Sequence, residues 1–208
     1  MQDLLDNGGK SARIDHIVTS HPLQSESCPE RNPAELAILG ALALGKAHGY
    51  KLIPFLQENL FGVCSLGKSQ IYALLARLES EGLVYHENEQ HGNFPSRKVF
   101  DLTPDGRKTF EAWSLEPVHH IRDFRIVFFI KLFFAGQRSA RDKLELLQAQ
   151  LKVCEAKEQR LKELMRSASN DLLKQATDYR VKVIRNTCSW LESAILECEN
   201  GFTPSIRD

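Results

Sequence analysis

Two short groups of polar side chains are the part of this sequence best suited to contact a polyanion. Lys68, Ser69 and Gln70 lie together at the start of a predicted helix, and Tyr72 follows closely. A glutamine can bond adenine through both amide atoms, a serine can reach bases or phosphates, and a lysine suits guanine or phosphate. The tyrosine hydroxyl could reach a phosphate. This group predicts contact with DNA, although a polar first turn is also what any solvated helix start would show.

A second polar group follows in a predicted hairpin. Asn93 lies in the turn over residues 91–96, and Arg97 and Lys98 come directly after it. A hairpin that projects amide and cationic groups suits contact with phosphates or with the minor groove. The alternative is a charged hairpin edge, which proteins use against aggregation.

The elements predicted to position these groups begin with a helix over residues 68–81. Ile71, Leu75 and Leu78 recur at spacings of four and three, and the glycine and leucine at 82–83 suit a left-handed cap closed by an apolar side chain. Strands over 83–89 and 98–102 should form the hairpin. A helix with a polar first turn followed by a two-stranded wing is the plan of a winged helix-turn-helix, which places its recognition helix in the major groove.

Two further helices are predicted before the recognition helix. The first begins at the pair Asn32-Pro33, with Glu35 placed to reach back to the cap amide. Its single apolar face is expected to hold Leu36, Leu39, Ala43 and Leu44. The second spans residues 49–60 and contains Pro54, which should kink it. Its expected inward residues are Tyr50, Ile53, Leu56 and Leu60.

The second half of the chain is predicted to be helical. An apolar helix over 118–134 and a break at 135–139 precede two long helices. From Ala140 the apolar residues alternate at spacings of three and four over three heptads, with Glu158 as one polar exception. Helices with such seams need a partner surface, and we expect a second copy of the chain to supply it. The residues expected at this dimer contact are Leu144, Leu147, Leu151, Leu161, Tyr179, Val183 and Trp190.

The expected fold class is therefore mainly α with a small β-hairpin wing: a winged helix-turn-helix followed by a dimerisation domain of long antiparallel helices. Four segments are predicted: a flexible extension over 1–31, the DNA-binding domain over 32–116, the dimerisation domain over 117–200 and a tail over 201–208.

The composition narrows the function classes. The 208 residues carry 27 basic and 27 acidic side chains, so a general polyanion binder is disfavoured and DNA contact must come from local placement of charge. Five scattered cysteines predict reduced thiols in a cytoplasmic protein. The most apolar run, residues 126–135, is shorter than the ~20 residues that a membrane span needs.

Neither a catalytic site nor a metal or cofactor site is predicted. The sequence contains no Gly-rich phosphate loop and no nucleophile elbow, and the neighbouring His119 and His120 would point about 100° apart on a helix. Cys188 and Cys198 could form a redox switch, with inert thiols as the alternative. An aromatic group, Phe128, Phe129 and Trp190, could line a pocket for a small-molecule effector or could simply pack in a core.

The ordered motifs closely resemble those of the PadR family of bacterial transcriptional regulators. The recognition helix matches the family at Tyr72, Leu75, Leu78, Glu79, Gly82 and Leu83. The strand and turn after the wing match at Arg97, Lys98, Phe100, Leu102, Thr103 and Gly106. The run HGYKL at 48–52 is similar to the start of the family's second helix. Residues 128–137 and 190–192 resemble the C-terminal helical domain of the virulence-gene activators. Ala73 stands where the family usually has proline.

This resemblance implies a homodimeric, cytoplasmic regulator, usually a repressor, that binds an inverted repeat in double-stranded DNA. Some family members release DNA when a small aromatic ligand binds near the dimer interface. The competing hypothesis is a winged helix that has lost specific DNA binding and serves as a protein-interaction module.

Overall fold

The structure, a computed structural model, describes residues 31–60, 63, 66–90 and 96–201. Residues 1–30 of the predicted flexible extension, the C-terminal tail from residue 202 and Asn93 at the wing tip lie outside these residues. The described elements of the first half are α1 (Pro33–Leu44), β1 (Ala47–His48), α2 (Gly49–Asn59), α3 (Lys68–Ser80), β2 (Val84–Glu89), β3 (Arg97–Leu102) and α4 (Pro104–Leu115). Those of the second half are α5 (Ile121–Asp123), a π-helical turn (Phe124–Phe128), α6 (Phe129–Arg138), α7 (Ala140–Ser167) and α8 (Asp171–Glu199). The predicted mainly α fold with a small wing is confirmed.

Helix α1 lies at the centre of the winged half, which consists of α1 to α4 and the three strands. The Asn32 side chain accepts a hydrogen bond from the Ala34 N–H at 3.0 Å, as predicted for a helix cap. The prediction of one apolar face was wrong, because every residue from Ala34 to Leu42 is buried while Leu44 is exposed. The helix is enclosed by α2, α3, α4, α6 and the sheet, so its whole circumference belongs to the core.

Helices α2 and α3 pack on α1 through leucine and isoleucine side chains. The buried residues of α3 are Ile71, Leu75 and Leu78, as predicted. Its C-terminal cap is also as expected: Gly82 has φ +71°, and the Leu83 N–H donates to the Leu78 carbonyl at 2.9 Å. In α2, Leu52 and Leu56 are buried, and Leu60 is buried just after the helix. Tyr50 was expected to face inward but is 44% exposed.

The sheet has three antiparallel strands in the order β1-β3-β2. Val84 pairs with Leu102 and Glu89 pairs with Arg97, which defines the predicted wing. Strand β1 was missed, because two residues are too short for an alternating pattern to be recognised. It pairs with β3 and thereby fixes the start of α2 beside the wing.

A tight contact between α4 and the end of α3 explains two of the motif residues. The Thr103 hydroxyl accepts from the Gly106 N–H at 3.0 Å and donates to the Gly82 carbonyl at 2.7 Å. A Cβ atom on Gly106 would lie 1.9 Å from the Leu83 carbonyl oxygen. Only glycine therefore allows this approach.

The predicted break at 135–139 was placed too early, because α6 continues to Arg138 and the chain leaves the helix at Ser139. Two residues of α6, Ile130 and Phe134, belong to the hydrophobic core that surrounds α1. Phe128 and Ala135 belong to a second core formed with α7 and α8. Although the predicted domain boundary at 116–117 coincides with the connection after α4, α6 contributes to both cores.

Helices α7 and α8 form an antiparallel hairpin. Its buried seam consists of Leu146, Leu147, Gln150, Cys154 and Leu161 of α7 and Thr177, Val181, Ile184, Cys188 and Leu191 of α8. Leu147 and Leu161 were expected at a dimer contact, but they are buried within the chain. Leu144 and Leu151 are half-buried beside them. Glu158 lies at the flank of the seam and pairs with Lys162 and Arg185, which lower the pKa of its carboxyl group.

A different face of α8 carries the remaining residues of that prediction. Tyr179 is 69% exposed and Trp190 39%, and Val183 is half-buried. Leu172, which the prediction did not include, lies on the same stripe and is 77% exposed. The described helices include none that is long and apolar enough to cross a membrane.

Candidate nucleic-acid interface

The first turn of α3 presents the polar residues that the sequence singled out. Lys68, Ser69 and Gln70 are all exposed, and Tyr72 is 40% exposed. Helix α3 begins after Gly67, which has no side chain that could cap the first-turn amides. The positive end of the helix dipole and Lys68 together make this turn attractive to anions.

Gln70 has a local role that sequence reasoning missed. Its Oε1 atom accepts a hydrogen bond from the Gly67 N–H at 2.9 Å, so the side chain turns back onto the start of its own helix. The amide nitrogen can still donate. A bidentate contact with adenine, as the sequence suggested, would use the same oxygen, through its second lone pair if the capping bond stays in place.

Tyr72 leans across to the start of α2. A Cβ atom on Gly49 would lie 2.8 Å from the Tyr72 ring, so the glycine is required for this packing. A cleft of about 420 Å³ opens beside the ring. Its lining residues are Gly49, Tyr50, Tyr72, Arg97, Lys98 and Phe100. The structure thus brings three of the predicted DNA contacts, Tyr72, Arg97 and Lys98, to one cleft between α2, α3 and the wing.

A stack of side chains forms one wall of the cleft. The Arg97 guanidinium lies over the Tyr50 ring at 5.8 Å, and the His48 ring stacks on Tyr50 with centroids 5.2 Å apart. The Nδ1 atom of His48 lies 3.3 Å from the Lys98 carbonyl oxygen, and its Nε2 atom lies 3.3 Å from a Glu89 carboxylate oxygen. Sequence reasoning missed His48 and Tyr50 as site residues, although the run HGYKL had marked their position.

Three acidic side chains around α3 and the wing contact basic side chains. Glu79 contacts His86, and Glu89 contacts His48. Glu81 accepts from Arg31 at 2.6 Å and from Arg77 at 2.9 Å, and these guanidinium groups lower the pKa of its carboxyl group. The Glu81 carboxylate, at the C-terminal end of α3, is thus neutralised locally by two guanidinium groups.

Two family models match the chain, one in each half. Residues 38–112 match the transcriptional regulator PadR-like family, and residues 124–199 match the virulence activator alpha C-terminal family. The chain thus contains a PadR-like transcriptional regulator domain followed by a virulence activator alpha C-terminal domain. The proteins of this family that resemble it are regulators rather than enzymes, in agreement with the sequence prediction.

Individual relatives of this PadR-like chain are distant. It is 25% identical over 170 residues to the negative transcriptional regulator PadR of Bacillus subtilis strain 168, a match that covers 76% of this chain and 93% of that protein. Crystal structures of Bacillus subtilis PadR are also similar to it. The complex with operator DNA has a TM-score of 0.43 at 25% identity and covers 81% of this chain and 99% of that one. The complex with p-coumaric acid has a TM-score of 0.38 at 23% identity, with the same coverage.

The three residues suggested for an effector pocket do meet in the structure. The Phe128 ring stacks on Phe124 with centroids 4.5 Å apart, and Trp190 packs its edge against Phe124, Phe128 and Phe129. Phe128 is fully buried. The void that Phe124 borders measures about 10 Å³, far less than the roughly 300 Å³ of a small ligand pocket. In this arrangement the rings fill their own space.

Two cysteines of the α7–α8 hairpin have the properties of structural thiols. Cys154 and Cys188 are buried together in the seam, and burial raises the pKa of Cys154 and raises the pKa of Cys188 to about 11. Thiols that stay protonated are poor nucleophiles. A redox switch formed by Cys188 and Cys198 is therefore disfavoured, because the Cys188 thiol stays protonated. Among the described residues, no group of three or more side chains is placed to hold a metal ion.

Proposed function

We propose that this PadR-like regulator is a homodimer that binds an inverted-repeat operator and represses transcription there. The single observation that carries the proposal is the cleft between α2, α3 and the wing. It combines two tyrosine rings, Tyr50 and Tyr72, with the cations Arg97 and Lys98, directly beside the exposed first turn of α3.

The cleft suits a DNA phosphate. Arg97 and Lys98 supply positive charge, the tyrosine hydroxyl groups can donate hydrogen bonds, and α2 begins at Gly49 on the cleft wall with the positive end of its dipole. With a phosphate held there, Lys68 and Ser69 would lie at the groove floor and contact base edges. The cleft would position the protein on DNA while the first turn of α3 selects the sequence.

The dimer part of the proposal rests on the exposed stripe of α8. Its residues Leu172, Ala176, Tyr179, Val183 and Trp190 follow one another at spacings of four, three, four and seven, which is the period of a coiled-coil seam. The opposite seam of α8 is already covered by α7. Exposed aromatic and leucine side chains at this period favour a second copy as the partner, and a twofold dimer would present two recognition helices to an inverted repeat.

Such binding would repress transcription, because a dimer bound at a promoter blocks the polymerase. The Bacillus subtilis relative is named a negative regulator, which supports the same direction. We extend the proposal to a small aromatic effector that would enter beside Trp190, whose ring is still 39% exposed at the edge of the aromatic cluster. Entry would require the rings of Phe128 and Phe129 to separate. A panel of planar aromatic acids, added to the preformed DNA complex, tests this extension by release of the DNA.

The main proposal is tested by titrating the purified protein onto a labelled duplex from upstream of its own gene. A scrambled duplex of equal length and composition is the control, and both are measured at two salt concentrations. The proposal predicts tight, salt-sensitive binding with a clear preference for the native duplex. Equal and weak binding to this duplex, and to duplexes selected from a random pool, would favour the protein-interaction module instead.

A further inference from the structure

Glu35 occupies an unusual position in the winged half of the protein. It lies in the first turn of α1, its side chain is fully buried, and its neighbours along the helix are alanine, leucine and isoleucine. The sequence suggested that its carboxylate caps the start of α1. The structure shows it turned inward, away from the helix end and toward the last turn of α3.

Two carboxylates and two guanidinium groups form a cluster at this point. The Arg77 Nη1 atom lies 3.0 Å from one Glu35 oxygen, and the Arg31 Nη1 atom lies 3.6 Å from the other. Both arginines also contact Glu81, at 2.9 Å and 2.6 Å. The cluster therefore joins the start of α1 to the C-terminal end of the recognition helix α3.

Stability alone does not explain the buried carboxylate. Within the described chain neither Glu35 oxygen accepts a hydrogen bond of good geometry, so the charge is held by ion pairing only. Burying a carboxylate under these conditions costs free energy that a leucine of similar size would not. Buried ion pairs of this kind are best attested as devices that fix the register of packed elements.

The location of the cluster determines what it can control. Arg77 lies nine residues after Lys68, or about 14 Å along the helix at 1.5 Å per residue. A tilt of α3 by about 5° around this end would move the first turn by roughly 1 Å. On the other side of α3, Glu79 contacts His86 of the wing. The C-terminal half of α3 is thus held by polar contacts while its N-terminal turn remains exposed.

We propose that Glu35 is a positioning residue for the recognition helix, and that its ion pair with Arg77 fixes the tilt of α3 on which sequence discrimination depends. This inference rests on the proposed function. Glu35 contacts no DNA itself, so its loss should reduce the preference for the operator and leave general affinity for DNA intact.

The decisive variant is Glu35→Leu. Arg31 and Arg77 keep Glu81 as a partner in this variant, so no guanidinium group loses its last partner. We expect its midpoint of thermal unfolding to equal or exceed that of the native protein. We also expect its preference for the operator over a scrambled duplex to fall at least tenfold, with the dissociation constant for the scrambled duplex changed less than twofold. Glu145→Gln, which breaks the exposed pair with Arg141 on α7, is the matched control and should change neither quantity.

A second measurement does not depend on DNA. Residual dipolar couplings of the α3 amides, relative to those of α1, report the angle between the two helices in native protein and in Glu35→Leu. A changed angle together with a reduced operator preference supports the proposal. A folded Glu35→Leu protein with an unchanged angle or an unchanged preference overturns it. If the native protein shows no operator preference while the angle still changes, the proposed function is what fails.

Discussion

The winged half and the α7–α8 hairpin bury their residues in opposite ways. Around α1 the core is aliphatic and aromatic apart from Glu35, and the face with the cleft and the first turn of α3 exposes polar and cationic groups beside two tyrosines. In the hairpin the seam includes an amide, a hydroxyl and two thiols, while Leu172 and Tyr179 point to solvent. The difference indicates that the winged half is complete as a single chain, whereas the hairpin has an apolar face that a second copy would cover.

The largest effect on DNA binding is expected from substitutions on the exposed stripe of α8. The double substitution Leu172→Glu, Tyr179→Glu places two charges on the exposed stripe without touching the buried seam. We expect the dimer to dissociate and operator affinity to fall about a thousandfold, or roughly 4 kcal/mol. Sedimentation velocity and a DNA titration measure the two effects. Gln148→Glu, Gln159→Glu adds the same charge to exposed positions of α7 and should leave both unchanged.

The packing of α4 against the rest of the winged half can be disrupted at Gly106. The methyl group of Gly106→Ala would overlap the Leu83 carbonyl oxygen, so α4 must move away from the wing. We expect a loss of about 3 kcal/mol in the free energy of unfolding, measured with urea. Gly45→Ala is the control, since a Cβ atom there meets nothing within 4 Å. Equal stability of the two variants would contradict the close approach.

The contribution of the polar residues between α7 and α8 can be tested at Gln150. Its buried amide accepts from the Val118 N–H at 2.7 Å and donates to the Val118 carbonyl at 2.9 Å, which ties the interdomain connection to α7. Gln150→Ala would leave both backbone groups unpaired, at a cost of roughly 2–3 kcal/mol. Chemical denaturation measures this loss, and the exposed Gln148→Ala should cost less than about 0.5 kcal/mol.

Two substitutions at Gln70 distinguish a contact with a DNA base from capping of the first turn of α3. Gln70→Ala loses both roles and should weaken operator binding by roughly 1–3 kcal/mol. Gln70→Glu keeps an oxygen for the Gly67 N–H but loses the amide donor and adds a negative charge. If Gln70 contacts a base, both variants should lose preference at one base position in a binding-site selection. If both variants keep the native base preference at every position, the residue acts as a cap alone.

The smallest effect is expected at Arg97, which lies over the Tyr50 ring at the cleft. Arg97→Ala should weaken operator and scrambled duplexes about equally, by on the order of 1 kcal/mol, and lower the slope of log affinity against log salt by about one unit. A loss confined to the operator would instead assign Arg97 to base recognition.

The winged half was predictable where local chemistry decides the structure. The spacing of Ile71, Leu75 and Leu78, the left-handed Gly82 and the Asn32-Pro33 helix start each act within a few residues. Glu35 and Tyr50 were misassigned because their environment is set by distant parts of the chain. A carboxylate in a first turn suggests a cap, and only the packing of α3 on α1 reveals Arg77 as its partner.

The hairpin shows a different limit. Helix α8 carries two stripes with the same three-four spacing, one through Val181 and Ile184 and the other through Tyr179 and Val183. Periodicity predicts both stripes, but it contains no information on which one packs within the chain. Of the dimer residues predicted on α7, Leu147 and Leu161 are buried within the chain. The half-buried Leu144 and Leu151 and the residues predicted on α8 stay a prediction.

Selection of binding sites from a random duplex pool tests the central claim most directly. If two copies paired through α8 present two α3 helices, the selected sites should be inverted repeats whose halves are centred about 10 base pairs, or a multiple of that, apart. The same selection with Leu172→Glu, Tyr179→Glu should lose the repeat. A pool without an enriched sequence would contradict specific DNA binding, and an enriched single half-site with native protein would contradict the paired arrangement.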